Sequence, residues 1–167
     1  MIKQVIVVRA DIFKNCRRGK ENIQACHASI AFLTRRLQKQ LEAEKGKIAY
    51  VDKIDPLHPD KTIKVPVAFL STPGGLKKIK DLFSQVELEW MTEVSGGKNF
   101  TKISVQVENE QELDAIYEKA KTAGLEVHMI IDSGATEFHG VPTKTVVAIG
   151  PDISEKIDKI TGDLKLR

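Results

Sequence analysis

The feature that most constrains the fold is a short apolar run near the start of the chain. Residues 3–8 read K-Q-V-I-V-V and are rich in β-branched side chains. A run of this length without regular polar alternation is typical of a strand that is buried on both faces, as in the sheet of an α/β protein. The rest of the chain must therefore supply elements that cover both sides of this strand.

The periodicity of the remaining chain predicts three more strands and three helices. The predicted strands cover residues 101–107, 125–131 and 145–149, and the predicted helices cover residues 20–44, 108–123 and 154–160. Residues 9–19 form a polar connection and are expected to be a loop. This order predicts an α/β fold in which a mixed four-stranded sheet carries helices on both faces.

Residues 45–86 interrupt this pattern. Two short strands and a lysine-rich helix are expected there, at residues 48–51, 62–70 and 76–83. About 40 residues are too few for an independent core, so we interpret the segment as an insertion in a single domain of residues 1–167. Trp90, the only tryptophan, follows it and is predicted to lie in the core or at a hinge, with base stacking as the alternative.

The total charge of the chain says little about its partners, but the distribution of charge says more. The net charge is +3, from 26 Lys and Arg against 23 Asp and Glu. Basic side chains cluster before the first long helix and within the inserted segment: Lys14, Arg17, Arg18 and Lys20, then Lys77, Lys78 and Lys80. Such clusters could contact a phosphate backbone, or could form a solvated face balanced by scattered acids.

Several classes of protein are not indicated by the sequence. No apolar stretch approaches the roughly 20 residues that span a bilayer, and the run at residues 5–8 is too short for a secretory signal. Cys16 and Cys26 lack C-x-x-C spacing, and the four histidines are dispersed, so neither a disulfide framework nor a metal site is predicted. We expect a cytoplasmic protein without a membrane partner.

The first long helix carries the first candidate site. Lys20, Gln24 and His27 fall at i, i+4 and i+7 and would share one helix face. A neighbouring apolar stripe is predicted to face the core: Ile23, Ile30, Leu33, Leu37 and Leu41. An ammonium, an amide and an imidazole beside the core suggest a site for an anionic group. The alternative is a wetted helix edge.

A second candidate site is the loop that follows the predicted strand at residues 125–131. Ligands of open α/β sheets bind outside the carboxyl ends of strands, and Asp132 falls at such an end. This carboxylate could orient a water or accept its proton, and the Thr136 hydroxyl could donate a hydrogen bond. Alternatively, both side chains only satisfy backbone donors in a turn. A phosphate-binding loop at Lys20 is excluded, because Lys14 and Glu21 break its pattern.

Five motifs occur in an order that resembles a known family. They are V-I-V-V-R-x-D-I at residues 5–12, G-K-x-x-x-Q-x-x-H-A at 19–28, I-x-D-x-G-x-T at 130–136, P-T-x-T-V-x-A-I-G-P at 142–151 and I-D-x-I-T-G-x-L-K-L at 157–166. Together they resemble the archaeal/eukaryotic-type peptidyl-tRNA hydrolases. Residues 45–86 have no counterpart in that pattern, and Ser133 stands where the family usually has alanine.

The resemblance implies an activity and a set of site residues. It implies a hydrolase with an α/β fold that needs no cofactor and cleaves the ester between peptide and tRNA in peptidyl-tRNA. It also implies a homodimer, because members of the family are often dimeric. The implied catalytic residues are Lys20, His27, Asp132 and Thr136, and the expected substrate-binding residues are Gln24, Thr145, Arg17 and Arg18. The alternatives are a non-catalytic RNA-binding or protein-interaction module on the same fold, and a hydrolase of another acylated RNA or small ester.

We assign roles from the charge that ester hydrolysis develops. Lys20 would stabilise the carbonyl oxygen, or bind the terminal phosphates of the tRNA. Asp132 would orient or deprotonate the water, and Gln24 would shape the site. Thr136 and His27 would hold the water or the leaving ribose hydroxyl.

Overall fold

A computed structural model describes residues 1–17, 19–43, 50–54, 62–66, 81–92 and 100–167. The helices are α1 (Ala10–Phe13), α2 (Lys20–Ala43), α3 (Gln85–Thr92), α4 (Glu110–Thr122) and α5 (Ser154–Thr161). The strands are β1 (Ile2–Arg9), β2 (Tyr50–Ile54), β3 (Thr62–Pro66), β4 (Thr101–Val107), β5 (Val127–Asp132), β6 (Thr143–Ile153) and β7 (Lys165–Leu166). The chain divides into two compact units, one of Met1–Thr34 with Gln85–Arg167 and one of Arg35–Ser84.

The larger unit contains a mixed sheet in the order β5-β6-β1-β4-β7. β1 runs parallel to β4 and antiparallel to β6, while β6 runs antiparallel to β5 and β4 antiparallel to β7. The sheet therefore has five strands, and the prediction of four is wrong by one. The additional strand, β7, is two residues long on the outer side of β4, which is too short to produce a recognisable alternation.

β1 is buried on both faces, as its composition predicts. Val5 and Val7 pack in a cluster that includes residues of α4 and α5. Ile6 and Val8 point to the opposite face, where they pack with residues of α1 and α2. Helices therefore cover both faces of the sheet, and the central strand has no solvated side.

The buried face of α2 differs from the predicted one. Ile23 and Ile30 are 54% and 50% exposed, so their assignment to the core is wrong. The side chains that are buried along this part of the helix are Gln24, Ala28, Ala31 and Phe32. Gln24, Ala28 and Ala31 are spaced at i, i+4 and i+7 and form one face of the helix, and each isoleucine lies one position before a buried residue, to the side of that face.

Two further predictions can be compared with the described residues. The connection at residues 9–19, which was expected to be a polar loop, contains the short helix α1. Two of its side chains, Ala10 and Phe13, are buried. Trp90 is 1% exposed, which confirms the prediction that it lies in the core.

The smaller unit contains an antiparallel pair of strands, in which Tyr50 pairs with Pro66 and Ile54 with Thr62. Lys77, Lys78 and Lys80 lie outside the described residues.

Candidate active site

The sheet topology brings the ends of β1 and β5 together. Both strands run antiparallel to β6, so their carboxyl ends lie at the same end of the sheet. α2 begins there after β1, and Asp132 ends β5. The Lys20 ammonium donates to Asp132 Oδ2 at 2.6 Å and to Thr136 Oγ1 at 3.2 Å. Two groups that are 112 positions apart in sequence are thus in direct contact.

A buried amide connects this ion pair to β6. Gln24 Nε2 donates to Asp132 Oδ2 at 2.7 Å, while Gln24 Oε1 accepts from Thr145 Oγ1 at 3.0 Å. The Thr145 hydroxyl also lies 3.2 Å from the Ile130 carbonyl oxygen. Gln24 is 3% exposed and Thr145 is fully buried. The amide therefore has a fixed orientation, with its nitrogen on the carboxylate.

Thr145 reaches α2 because β6 is irregular at this position. Ile130 pairs with Val146, but Ile131 pairs with Lys144, so Thr145 has no partner on β5. An extra residue of this kind is a β-bulge, which can re-aim a side chain. Simple alternation along β6 would place Thr145 on the face of Val147, away from Gln24.

A tight loop holds the other carboxylate oxygen. The Gly134 amide donates to Asp132 Oδ1 at 2.8 Å. Gly134 has a φ of +82°, and a Cβ atom there would lie 2.4 Å from the Val141 carbonyl oxygen. A glycine is therefore required both by the backbone conformation and by the close approach of residue 141.

The electrostatics of the site keep Asp132 ionised. The Lys20 and Asp132 side chains are only 15% and 10% exposed. Burial raises the pKa of Asp132. This effect is outweighed by the hydrogen bonds from Lys20, Gly134 and Gln24 and by the charge of Lys20, so the pKa lies below its ordinary value. A carboxylate at this position carries its charge throughout the neutral range.

An exposed ion pair lies beside the cluster. Arg17 binds the Glu137 carboxylate and donates to the Thr136 carbonyl oxygen at 3.2 Å. The hydrogen bond from Arg17 lowers the pKa of Glu137. An open groove of about 550 Å³ runs along this pair, Lys20 and Ile23.

Sequence reasoning missed Glu137 and Phe138, whose ring lies 5.7 Å from Lys20 Nζ. The only signal was their position directly after Thr136.

Not every predicted site residue joins the cluster. His27 is exposed, and in the part of the chain that the structure describes it makes no hydrogen bond to Lys20, Asp132 or Thr136. Arg18 lies outside the described residues. Among the residues that are described, no three His, Cys, Asp or Glu side chains are grouped to hold a metal ion, and no helix is long and apolar enough to cross a membrane.

Comparison with known proteins gives consistent matches along the chain. The family model described as "Peptidyl-tRNA hydrolase PTH2" matches residues 2–64 and 68–167. A peptidyl-tRNA hydrolase of Methanothermobacter thermautotrophicus is 33% identical over 165 residues, which cover 99% of each chain. That of Methanocaldococcus jannaschii is 50% identical over 78 residues, 47% of this chain and 63% of its own. A "probable peptidyl-tRNA hydrolase 2" of Drosophila melanogaster is 45% identical over 65 residues, 39% of this chain and 34% of its own.

These matches bear on one expectation about residues 45–86, that the segment has no family counterpart. The alignment with the Methanothermobacter protein covers nearly all of both chains, so the segment has a counterpart in that relative. The family model also covers the segment apart from residues 65–67. The expectation that the segment has no family counterpart is therefore wrong. Whether it forms part of a single domain stays a prediction.

Proposed function

The chain belongs to the peptidyl-tRNA hydrolase PTH2 family, and from this premise we propose that the cluster around Lys20 and Asp132 is its active site. The protein is a hydrolase that cleaves the ester bond of peptidyl-tRNA and so releases free tRNA for reuse. The observation that carries the assignment is the contact of Lys20 with both Asp132 and Thr136, at the end of the sheet where α/β proteins bind ligands.

Lys20 supplies positive charge to the reacting ester. Attack of water on the carbonyl carbon places negative charge on the carbonyl oxygen, and a fixed donor there lowers the barrier. An ammonium has three N–H donors, and Asp132 and Thr136 take two of them. The third is available for the developing oxyanion or for a phosphate of the tRNA end.

Asp132 orients the attacking water. A carboxylate offers about four lone-pair sites. Lys20 and Gln24 occupy two on Oδ2, and the Gly134 amide occupies one on Oδ1. The remaining site on Oδ1 can accept a hydrogen bond from water. Because its pKa is lowered, Asp132 is a weak base, so we assign it to orientation of the water and of the Lys20 ammonium.

The other residues act on the substrate. The Thr136 oxygen accepts from Lys20, which leaves its hydroxyl free to donate a hydrogen bond to the ribose oxygen that departs, while this oxygen takes its proton from the attacking water. His27 is exposed two turns along α2, about 10 Å from the start of the helix, and we propose that it contacts the terminal nucleotides. The 72% exposed Arg17 side chain, together with Arg18, would bind phosphates.

Comparison of substrates tests the activity. Purified protein is incubated with N-acetyl-aminoacyl-tRNA, free aminoacyl-tRNA and a simple ester. Release from the blocked tRNA alone is expected, whereas retained RNA binding without release would instead indicate a binding module. Lys20→Met should lower kcat about 100- to 1000-fold, as loss of an oxyanion donor does. If the variant is as fast as the natural protein, Lys20 is not catalytic.

We also propose a cytoplasmic location, from the cysteine usage and the family, and a homodimer, from the family alone. Light scattering on the purified chain measures its mass in solution, and a mass of one chain at micromolar concentration would exclude the dimer.

A further inference from the structure

Phe100 combines exposure with an unfavourable backbone conformation. Its side chain is 51% exposed, and its φ is +71°. A bulky residue at positive φ is a genuine outlier that persists only where the surroundings hold it. Burial of apolar area does not explain this conformation, because half of the ring remains in water.

The surroundings that hold Phe100 are aromatic and cationic. Its ring stacks on Trp90 with centroids 4.5 Å apart and an interplanar angle of 27°, and Trp90 in turn packs edge-on against Phe32. Lys102 Nζ lies 3.3 Å from the Phe100 centroid and 4.8 Å from the Trp90 centroid. Because Lys102 and Trp90 are also close to each other, both contact Phe100 from the same side. Since 51% of Phe100 is exposed, we assign this exposure to the opposite side of the ring.

Lys102 lacks a negative partner among the described residues. Burial lowers the pKa of Lys102, and no carboxylate in the described part of the chain offsets that loss of hydration. An anion bound beside the ring would offset this loss of hydration. The pair therefore offers a flat aromatic surface next to a cation, which is the combination that binds nucleotides of single strands.

The pair lies at the opposite end of the sheet from the active site, because Phe100 precedes β4 and Thr101 pairs with Lys3 near the start of β1. α2 begins at Lys20, and Phe32, which contacts Trp90, lies 12 residues further along the same helix. At 1.5 Å per residue this is about 18 Å along the helix axis. A bound single strand must therefore run along α2 for at least that length to reach both places.

We propose that Phe100 and Lys102 form a second contact with the tRNA substrate, at an unpaired nucleotide of its 3′ end. The base stacks on the open side of Phe100, and the phosphate of an adjoining nucleotide passes the edge of the ring to bind Lys102 on the side of Trp90. This inference rests on the proposed function, because it takes peptidyl-tRNA as the substrate. It adds a recognition surface that lies away from the scissile ester and acts on binding alone.

Trp90 makes the contact measurable without catalysis. As the only tryptophan, it reports on the ring that stacks against it. Deacylated tRNA at saturation should quench its fluorescence in the natural protein and to the same final extent in Asp132→Asn. Labelled tRNA gives the Kd independently by anisotropy. Phe100→Leu should raise this Kd about 5- to 10-fold, as loss of one stacked base does, while Phe100→Tyr retains the ring and the affinity.

Lys102 is tested by the dependence of binding on salt. Lys102→Gln should reduce the slope of log Kd against log salt by about one, since one phosphate contact is lost. Lys102→Arg should keep the slope. Lys159→Gln, on the exposed side of α5, is the matched control and should also keep it.

Kinetics separate this contact from a structural role. With N-acetyl-aminoacyl-tRNA, Phe100→Leu should raise KM about 5- to 10-fold at constant kcat. With the N-acetyl-aminoacyl ester of adenosine, which is too short to reach Phe100, neither constant should change. Equal losses on both substrates, or an unchanged KM and Kd, would overturn the proposal. If Phe100→Leu folds poorly, Phe100→Gly accepts the positive φ and serves the same test.

The outcomes also distinguish this proposal from the proposed function. If tRNA quenches the Trp90 fluorescence only when Phe100 is present, but the protein hydrolyses no acylated tRNA, the proposed activity is rejected and the RNA contact is retained. Normal hydrolysis with no effect of Phe100 or Lys102 would do the reverse.

Discussion

At the scale of single residues, the ion pair of Lys20 and Asp132 has a measurable consequence for stability. The folded pKa of Asp132 lies below the ordinary 3.8, so its ionised form stabilises the fold. This contribution is fully present above pH 3.8 and is lost as the pH falls through the folded pKa. The difference in unfolding free energy between the natural protein and Asp132→Asn should therefore stay constant at neutral pH and shrink as the pH falls below 3.8 toward the folded pKa. Urea titrations at each pH measure it, and a constant difference would contradict the lowered pKa.

Gly134 gives a second prediction at this scale. Gly134→Ala should lower the free energy of unfolding by about 2 kcal/mol or more and reduce kcat, because the added Cβ collides with the backbone of Val141 and displaces the Asp132 loop. Gly140→Ala is the matched control: its φ is +78°, but nothing lies within 4 Å of the added atom. It should show only the cost of positive φ, about 1 kcal/mol. Equal losses in both variants would exclude the collision as the cause.

At the scale of secondary-structure elements, the buried face of α2 shows where sequence reasoning succeeds and where it fails. The helix and its alignment of Lys20 with Gln24 follow from spacing, and both side chains do meet Asp132. The prediction placed Ile23 in the core because it weighed apolar area. The structure instead buries Gln24, whose polar atoms are satisfied by partners over a hundred positions away, and such partners leave no trace in a local window.

The bulge in β6 is likewise invisible in the sequence, and it carries a prediction. Thr145→Val preserves shape but removes the donor to Gln24 Oε1, a loss of about 1–3 kcal/mol for a buried acceptor. With the amide no longer fixed, kcat should fall about 10-fold with little change in KM.

Thr145→Ser should restore both the stability and kcat. Thr34→Val, at an exposed position on α2, is the control and should leave kcat unchanged. A kcat for Thr145→Val equal to that of the natural protein would show that the orientation of Gln24 does not matter for turnover.

At the scale of the whole molecule, the order of elements was predictable because each long element carries its own periodicity. The fifth strand was not, because two residues at the outer side of β4 contain no pattern. The relation of residues 45–86 to the family was also beyond one sequence, because it requires a relative in which the same segment aligns.

Arg9 connects three elements of the larger unit, so its substitution should lower the stability of the whole unit. It binds Asp11 after β1, Glu110 at the start of α4 and the Lys144 carbonyl oxygen in β6. Arg9→Met should lower the free energy of unfolding by about 2 kcal/mol, since two carboxylates lose a partly buried partner. Lys144→Met, at a more exposed position, should cost less. Thermal denaturation of the two variants compares them, and a larger loss for Lys144→Met would refute the central role of Arg9.

Because Lys20 and Asp132 are in contact, their charges largely cancel at a distance. The pair therefore adds little to the long-range attraction of a polyanion, and the encounter with the substrate depends on cations elsewhere, although the third N–H of Lys20 can still contact a bound substrate. Neutralising Asp132 by Asn should release that attraction and produce a substrate trap, which holds peptidyl-tRNA more tightly than the natural protein but turns it over slowly. Filter binding of N-acetyl-aminoacyl-tRNA compares the two, and weaker retention by Asp132→Asn would show that the carboxylate itself is needed to hold the substrate.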